Sequence, residues 1–96
     1  MSNLNYTDRR KRALWRAGHR GTRELDLLMT QFVQDFLPED TSDEAQTRME
    51  QVEQLQQVND PDVQLWLQRP ESIPAELPEP LRAALIEFKY ELNRIL

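Results

Sequence analysis

Apolar residues recur along this chain with a helical step, and nowhere with the step of two that marks a strand. The clearest run is Leu25, Leu28, Met29, Phe32, Val33, Phe36 and Leu37, with steps alternating between three and one. That spacing lays an apolar stripe along one face of a helix. Thr22 is suited to cap its start, and Pro38 ends it, because the residue before a proline is pushed out of the α region. The same reasoning predicts a first helix from Thr7 or Asp8 to Ala17, with Leu14 and Trp15 on its apolar side. Lys11 falls on that side too, so either its stem runs along the apolar surface while the ammonium reaches water, or it sits at the edge of the face.

Three more helices follow. Thr41 and Glu44 have capping-box spacing and predict a helix to about Gln57, with Ala45, Met49, Val52 and Leu55 facing inward. Asp60 as cap and Pro61 at the first helical position open a short helix through Val63, Trp66 and Leu67 that ends near Pro70. A Pro-rich connector, Pro70 to Glu79, shows little periodicity. Pro80 then opens a last helix carrying Leu81, Ala84, Leu85, Phe88, Leu92 and Ile95. The prediction is five helices, no strand and no repeat: an all-α small five-helix bundle, one domain over 1–96 with a disordered start over 1–5.

Composition limits the chemistry more than the fold. A chain of 96 residues is one domain with a small core. With no cysteine, disulfide scaffolds, thiolate zinc sites and cysteine nucleophiles are out. The single histidine, His19, cannot make a two-His metal site, and no serine is placed beside it for nucleophilic catalysis. Two glycines cannot supply a Gly-rich nucleotide loop. No run of 18 apolar residues offers a membrane span. Met1 to Asp8 has no apolar secretory core, so a secretory signal is not expected.

The formal net charge of −5 hides an asymmetry. Residues 1–25 carry seven basic and two acidic side chains, a net +5, whereas residues 26–96 carry five and fifteen, a net −10. Arg9, Arg12, Arg16, Arg20 and Arg23 would form one stripe on an unbroken helix, but Gly18 and Gly21 interrupt it. Three readings stay open: a solvated basic face, a surface for anions such as carboxylate or phosphate, or non-specific nucleic-acid binding. The acidic remainder, and the lack of aromatic residues among the arginines apart from Trp15, argue against the last.

Both glycines lie at one corner, around His19 and Arg20. One of them is expected to end the first helix in a left-handed cap, the other to permit a tight turn. Arg20, Arg23 and Glu24 could project from one small surface. Two plain readings of Glu24 are compensation of the helix dipole, which favours a carboxylate there, or a local ion pair with Arg20.

At this corner Arg20-Gly21-Thr22-Arg23-Glu24, followed by Leu25-Asp26 and the helix through Phe32 and Phe36, resembles the Arg-Gly-x-x-Glu signature of the SdhE (YgfY) family. The Arg-rich helix with Trp15 and His19 fits as well. So does Asp60-Pro61-Asp62 leading into Leu65-Trp66-Leu67. The similarity covers about residues 6–68, with Val63 where leucine is expected. Members are small FAD assembly factors (chaperones) of the succinate dehydrogenase flavoprotein, with mitochondrial relatives.

The resemblance implies a five-helix protein without enzymatic activity. It would bind the unassembled flavoprotein subunit of succinate dehydrogenase, or of fumarate reductase, and promote covalent attachment of FAD to a histidine of that subunit. Arg20, Gly21 and Glu24 would carry partner binding, with Arg23, Asp26, Arg16, His19 and Trp15 around them. FAD would belong to the partner, touched at most transiently. The protein would act as a monomer, without nucleic acid or membrane insertion, in the bacterial cytoplasm or, in a eukaryote, the mitochondrial matrix. The alternative is a small nucleic-acid binder or generic helical adaptor using its basic first helix. Physically, arginines suit an anionic site, Gly21 allows close approach, and Glu24 can pair with or polarise a partner group.

Overall fold

The computed structural model describes residues 5–88. Its helices are α1 (Tyr6–Ala17), α2 (Arg23–Phe36), α3 (Asp43–Leu55), α4 (Asp60–Gln68) and α5 (Leu81–Glu87), with a 3-10 turn at Pro70–Ser72. No strand occurs among the described residues, and the five helices form the small all-α bundle that the periodicity predicts. α1 packs on α2 and α3, while α5 packs on α2, α3 and α4. No described helix is long and apolar enough to cross a membrane.

α2 follows its pattern throughout. All seven stripe residues from Leu25 to Leu37 are buried. Phe32 stacks on Phe36 at 5.4 Å between ring centroids and meets Phe88 edge-on at 5.6 Å. Thr22 Oγ1 accepts the Leu25 N–H at 3.3 Å, and the chain turns extended at Leu37, ahead of Pro38.

α1 departs from expectation. It starts at Tyr6, because Asn5 Oδ1 accepts the Asp8 N–H at 2.8 Å; Asn5 thus caps a helix, and the rest of the 1–5 segment lies outside the described residues. Its buried face is Tyr6, Ala13 and Ala17; Leu14 is only half-buried and Trp15 is 63 % exposed. The small side chains Ala13 and Ala17 let α1 lie close on its neighbours, which turns the larger Trp15 outward together with Lys11. Lys11 is exposed, outside the buried face. The Tyr6 hydroxyl donates to the Pro38 carbonyl at 2.5 Å, joining the start of α1 to the end of α2, and burial pushes its pKa up.

The other helix starts shift by one residue. Ser42, not Thr41, caps α3: its Oγ accepts the Ala45 N–H at 3.2 Å. Asp40 Oδ1 holds Ser42 there by accepting from both its N–H and its hydroxyl. Glu44 therefore forms no capping box and pairs with Arg48 at 2.9 Å. Asn59, not Asp60, caps α4, accepting the Asp62 N–H at 3.0 Å. Pro80 is the cap of α5 rather than its first residue.

Ala45, Met49, Val52 and Leu55 are buried as expected, and α3 stops at Leu55, short of Gln57. Two glutamines are buried beside them. Gln51 Nε2 donates to the Glu79 carbonyl at 2.9 Å, and its Oε1 accepts the Leu81 N–H at 3.1 Å. Gln56 Nε2 donates to the Ala13 carbonyl at 2.8 Å. Gln51 thereby satisfies the buried Leu81 N–H at the start of α5, and Gln56 ties the end of α3 to α1. The connector holds the 3-10 turn and buries Ile73. Leu81 and Leu85 are buried, while the expected inward positions Leu92 and Ile95 lie outside the described residues.

Candidate functional site

The corner between α1 and α2 is built from its two glycines outward. Gly18 closes α1, its N–H reaching the Leu14 and Trp15 carbonyls at 3.2 Å. Its φ of −84° is open to any residue, so it is not the left-handed cap. Gly21 lies beyond the helix end, in the turn before Thr22, so α1 has no left-handed cap; its φ of +117° is a conformation that side chains rarely adopt. A Cβ there would come no closer than 4.0 Å, to Asp60 Oδ2. Within this chain Gly21 is therefore required by its backbone conformation and not by a crowded neighbour.

Arg20 turns inward. Its side chain is only 8 % exposed, and Nη2 lies 2.8 Å from Asp60 Oδ1. Nε also donates to Asp60 Oδ1 at 2.9 Å, and Nη2 donates to the Val58 carbonyl at 2.5 Å. Its backbone N–H donates to Asp26 Oδ1 at 2.6 Å. Arg20 thus fastens the corner to the α3–α4 loop, and Asp26 shapes the turn from within α2. Of the two readings of Glu24, the pair with Arg20 does not form. The turn between them is not helical, so the facing that an i, i+4 pair needs is absent.

Glu24 is exposed, and its Oε1 accepts from Gln68 Nε2 at 2.8 Å. Arg23 is exposed beside it. Arg23, Glu24, Leu27 and Leu28 line a groove of about 400 Å³.

On the other side of the corner the Trp15 and His19 rings stack at 4.0 Å, 14° from parallel. His19 donates Nδ1–H to the Trp15 carbonyl at 2.6 Å, which fixes the ring. Trp15, Arg16 and His19 face Gln56, Val58 and Asp60 across a cleft of about 360 Å³. The predicted site residues therefore divide. Arg20, Gly21 and Asp26 shape the corner, while Trp15, Arg16, His19, Arg23 and Glu24 stand on its surface.

The arginine stripe divides as well. Arg9 forms two hydrogen bonds with Glu53, at 2.6 and 3.1 Å, which raise its pKa further. Arg20 is held by Asp60. Arg12, Arg16 and Arg23 are exposed without an ion pair among the described residues.

Sequence reasoning read Asp60 as a helix cap and as part of the family pattern but missed it as the partner of Arg20, and it missed the glutamines Gln56 and Gln68. Asp60 meets Arg20 across 40 positions, and no local spacing signals such a pair. Among the described residues no group of three His, Asp or Glu side chains could hold a metal ion.

No curated protein and no solved structure matches the chain. A family match does exist: Sdh5, described as flavinator of succinate dehydrogenase, matches residues 11–89. That span takes in α1 from Lys11 onward, the corner with Arg20 to Glu24, the Asp60 that holds it, and the helices beneath. The chain belongs to the Sdh5 family, the flavinators of succinate dehydrogenase.

Proposed function

We propose that this protein is an assembly factor, not an enzyme, that binds the unassembled flavoprotein subunit of succinate dehydrogenase and promotes covalent attachment of FAD to it. A related flavoprotein such as fumarate reductase is a second substrate of the same kind. The partner holds the FAD and supplies the acceptor histidine. This chain holds the partner so that cofactor and acceptor stay aligned, which lowers the entropic part of the barrier.

One observation carries the assignment of roles: Glu24 and Arg23 stand exposed on a corner that Arg20 and Gly21 hold rigid. A carboxylate and a guanidinium on a fixed turn can engage complementary groups of a partner at little ordering cost.

The test is co-expression with the flavoprotein subunit, read as covalent flavin fluorescence of the denatured subunit. Glu24→Ala removes an exposed group with one exposed hydrogen bond, so its helical circular dichroism should match wild type while subunit fluorescence is lost. Gly21→Arg should also lose fluorescence, and additionally lower the melting temperature, because φ +117° strains any side chain. Full fluorescence with Glu24→Ala would overturn the reading.

A further inference from the structure

We infer that the outer face of α1 is a docking surface for an acidic segment of the flavoprotein subunit, separate from the corner that carries Glu24. The inference rests on the function proposed above and names the chemistry by which the partner is held.

Positions 11, 12, 15 and 16 fall on one helix face, opposite the buried Tyr6, Ala13 and Ala17. All four are exposed. Lys11, Arg12 and Arg16 have no ion pair among the described residues, although acidic residues outnumber basic ones 17 to 12 in the chain. Arg9 and Arg20, at either end of the same stretch, do find internal carboxylates in Glu53 and Asp60. The bundle could therefore neutralise cations here, yet leaves three neighbours unpaired and keeps a local positive field.

Trp15 stands among those cations and is the most exposed large hydrophobic residue described, at 63 %. Its ring is already ordered against His19, which is itself pinned by the bond to the Trp15 carbonyl. A preorganised aromatic platform loses little entropy on binding, and Trp and Arg are the residues that dominate interface energetics.

Guanidinium groups around an aromatic ring select carboxylates or phosphates. A protein segment bearing Asp or Glu fits better than a nucleic acid. Residues 26–96 carry a net −10 that repels a polyphosphate running beyond this one helix face. Docking strength therefore resides on α1, and the flavinylation step at the Glu24 corner.

The experiment measures association of the full chain with the apo-flavoprotein subunit at about 50 and about 500 mM salt, alongside flavinylation at rising assembly-factor concentration. Arg12→Glu with Arg16→Glu should slow association about tenfold at low salt and remove its salt dependence. Trp15→Ala should weaken binding about thirtyfold, and Trp15→Phe, which keeps a ring against His19, should recover most of it. All of these residues are exposed, so melting curves should match wild type. Both α1 variants should regain full flavinylation at saturating concentration.

Wild-type affinity in the α1 variants, or flavinylation that saturation does not restore, would overturn the inference and leave the proposed function standing. Displacement of the flavoprotein by a single-stranded oligonucleotide would also overturn it. Absence of any wild-type binding to the flavoprotein would overturn both.

Discussion

α1 and α2 pack against each other and are similar in length, at 12 and 14 residues, yet they are built on opposite plans. α2 buries every large apolar side chain of its stripe. α1 buries two alanines and a tyrosine and turns its tryptophan to solvent. Its arginines divide between internal ties and free surface cations. α2 is where the fold gains stability from burial, and α1 is where it leaves an aromatic ring and cations in solvent. A large aromatic residue is thus no guide to the core by itself: the small residues that set the helix separation decide which face turns inward.

The largest effect that can break this contrast comes from exchanging the aromatic positions. Phe32→Ala should cost about 3–5 kcal/mol in urea unfolding, because Phe32 is 2 % exposed between Phe36 and Phe88. Trp15→Ala should change stability by no more than about 0.5 kcal/mol. Comparable losses at both positions would show that α1 carries core energy after all.

A middle-sized effect sharpens the contrast within the arginines. Arg20→Ala should cost about 2 kcal/mol, since it strips charged hydrogen bonds from Asp60 and the Val58 carbonyl. Arg20→Lys should restore less than half of that, because an ammonium cannot reproduce the guanidinium fork. Arg12→Ala and Arg16→Ala should be nearly silent in the same denaturation series. A double-mutant cycle with Asp60→Asn should return a coupling of about 1 kcal/mol or more for Arg20 and none for Arg16.

The smallest effect concerns the Tyr6 tie between the start of α1 and the end of α2. Burial raises the Tyr6 pKa above the usual 10.0, so the folded state favours the protonated phenol. That contribution is present in full below pH 10.0 and is lost as the pH rises through the folded-state value. The melting temperature should fall on that alkaline limb, and the fall should be shallower in Tyr6→Phe. An unchanged limb in Tyr6→Phe would show that the hydroxyl bond to Pro38 contributes nothing that titrates.

The fold was legible wherever one helix carries its own signal. The α2 stripe, Thr22, Pro38 and the inward positions of α3 all follow from spacing and local backbone chemistry. The cap assignments slipped by one residue because adjacent polar residues compete. Thr41 and Ser42 are equally able to cap, and Asp40 decides between them by holding Ser42. The same holds for Asn59 and Asp60.

The corner was legible as a location, since it gathers both glycines and the single histidine, but the roles within it were not. Arg20 reads as a surface arginine until Asp60 arrives from 40 positions away. Glu24 reads as its partner until the turn between them proves not to be helical. Gln51 and Gln56 read as surface polar residues, yet the fold buries them against backbone groups of other segments.

The sequence by itself determined the helical class, the stripe of α2, the basic first quarter against an acidic remainder, and the corner with its Arg-Gly-x-x-Glu signature. Each of these depends on neighbours within a turn or two of helix, or on simple counting. Only the tertiary structure decided which face of α1 is buried, that Arg20 and Asp60 form the latch, and that Glu24, Arg23 and the Trp15–His19 stack stand exposed. Those outcomes depend on which distant groups the packing brings within hydrogen-bond reach, and local spacing along the chain does not encode that.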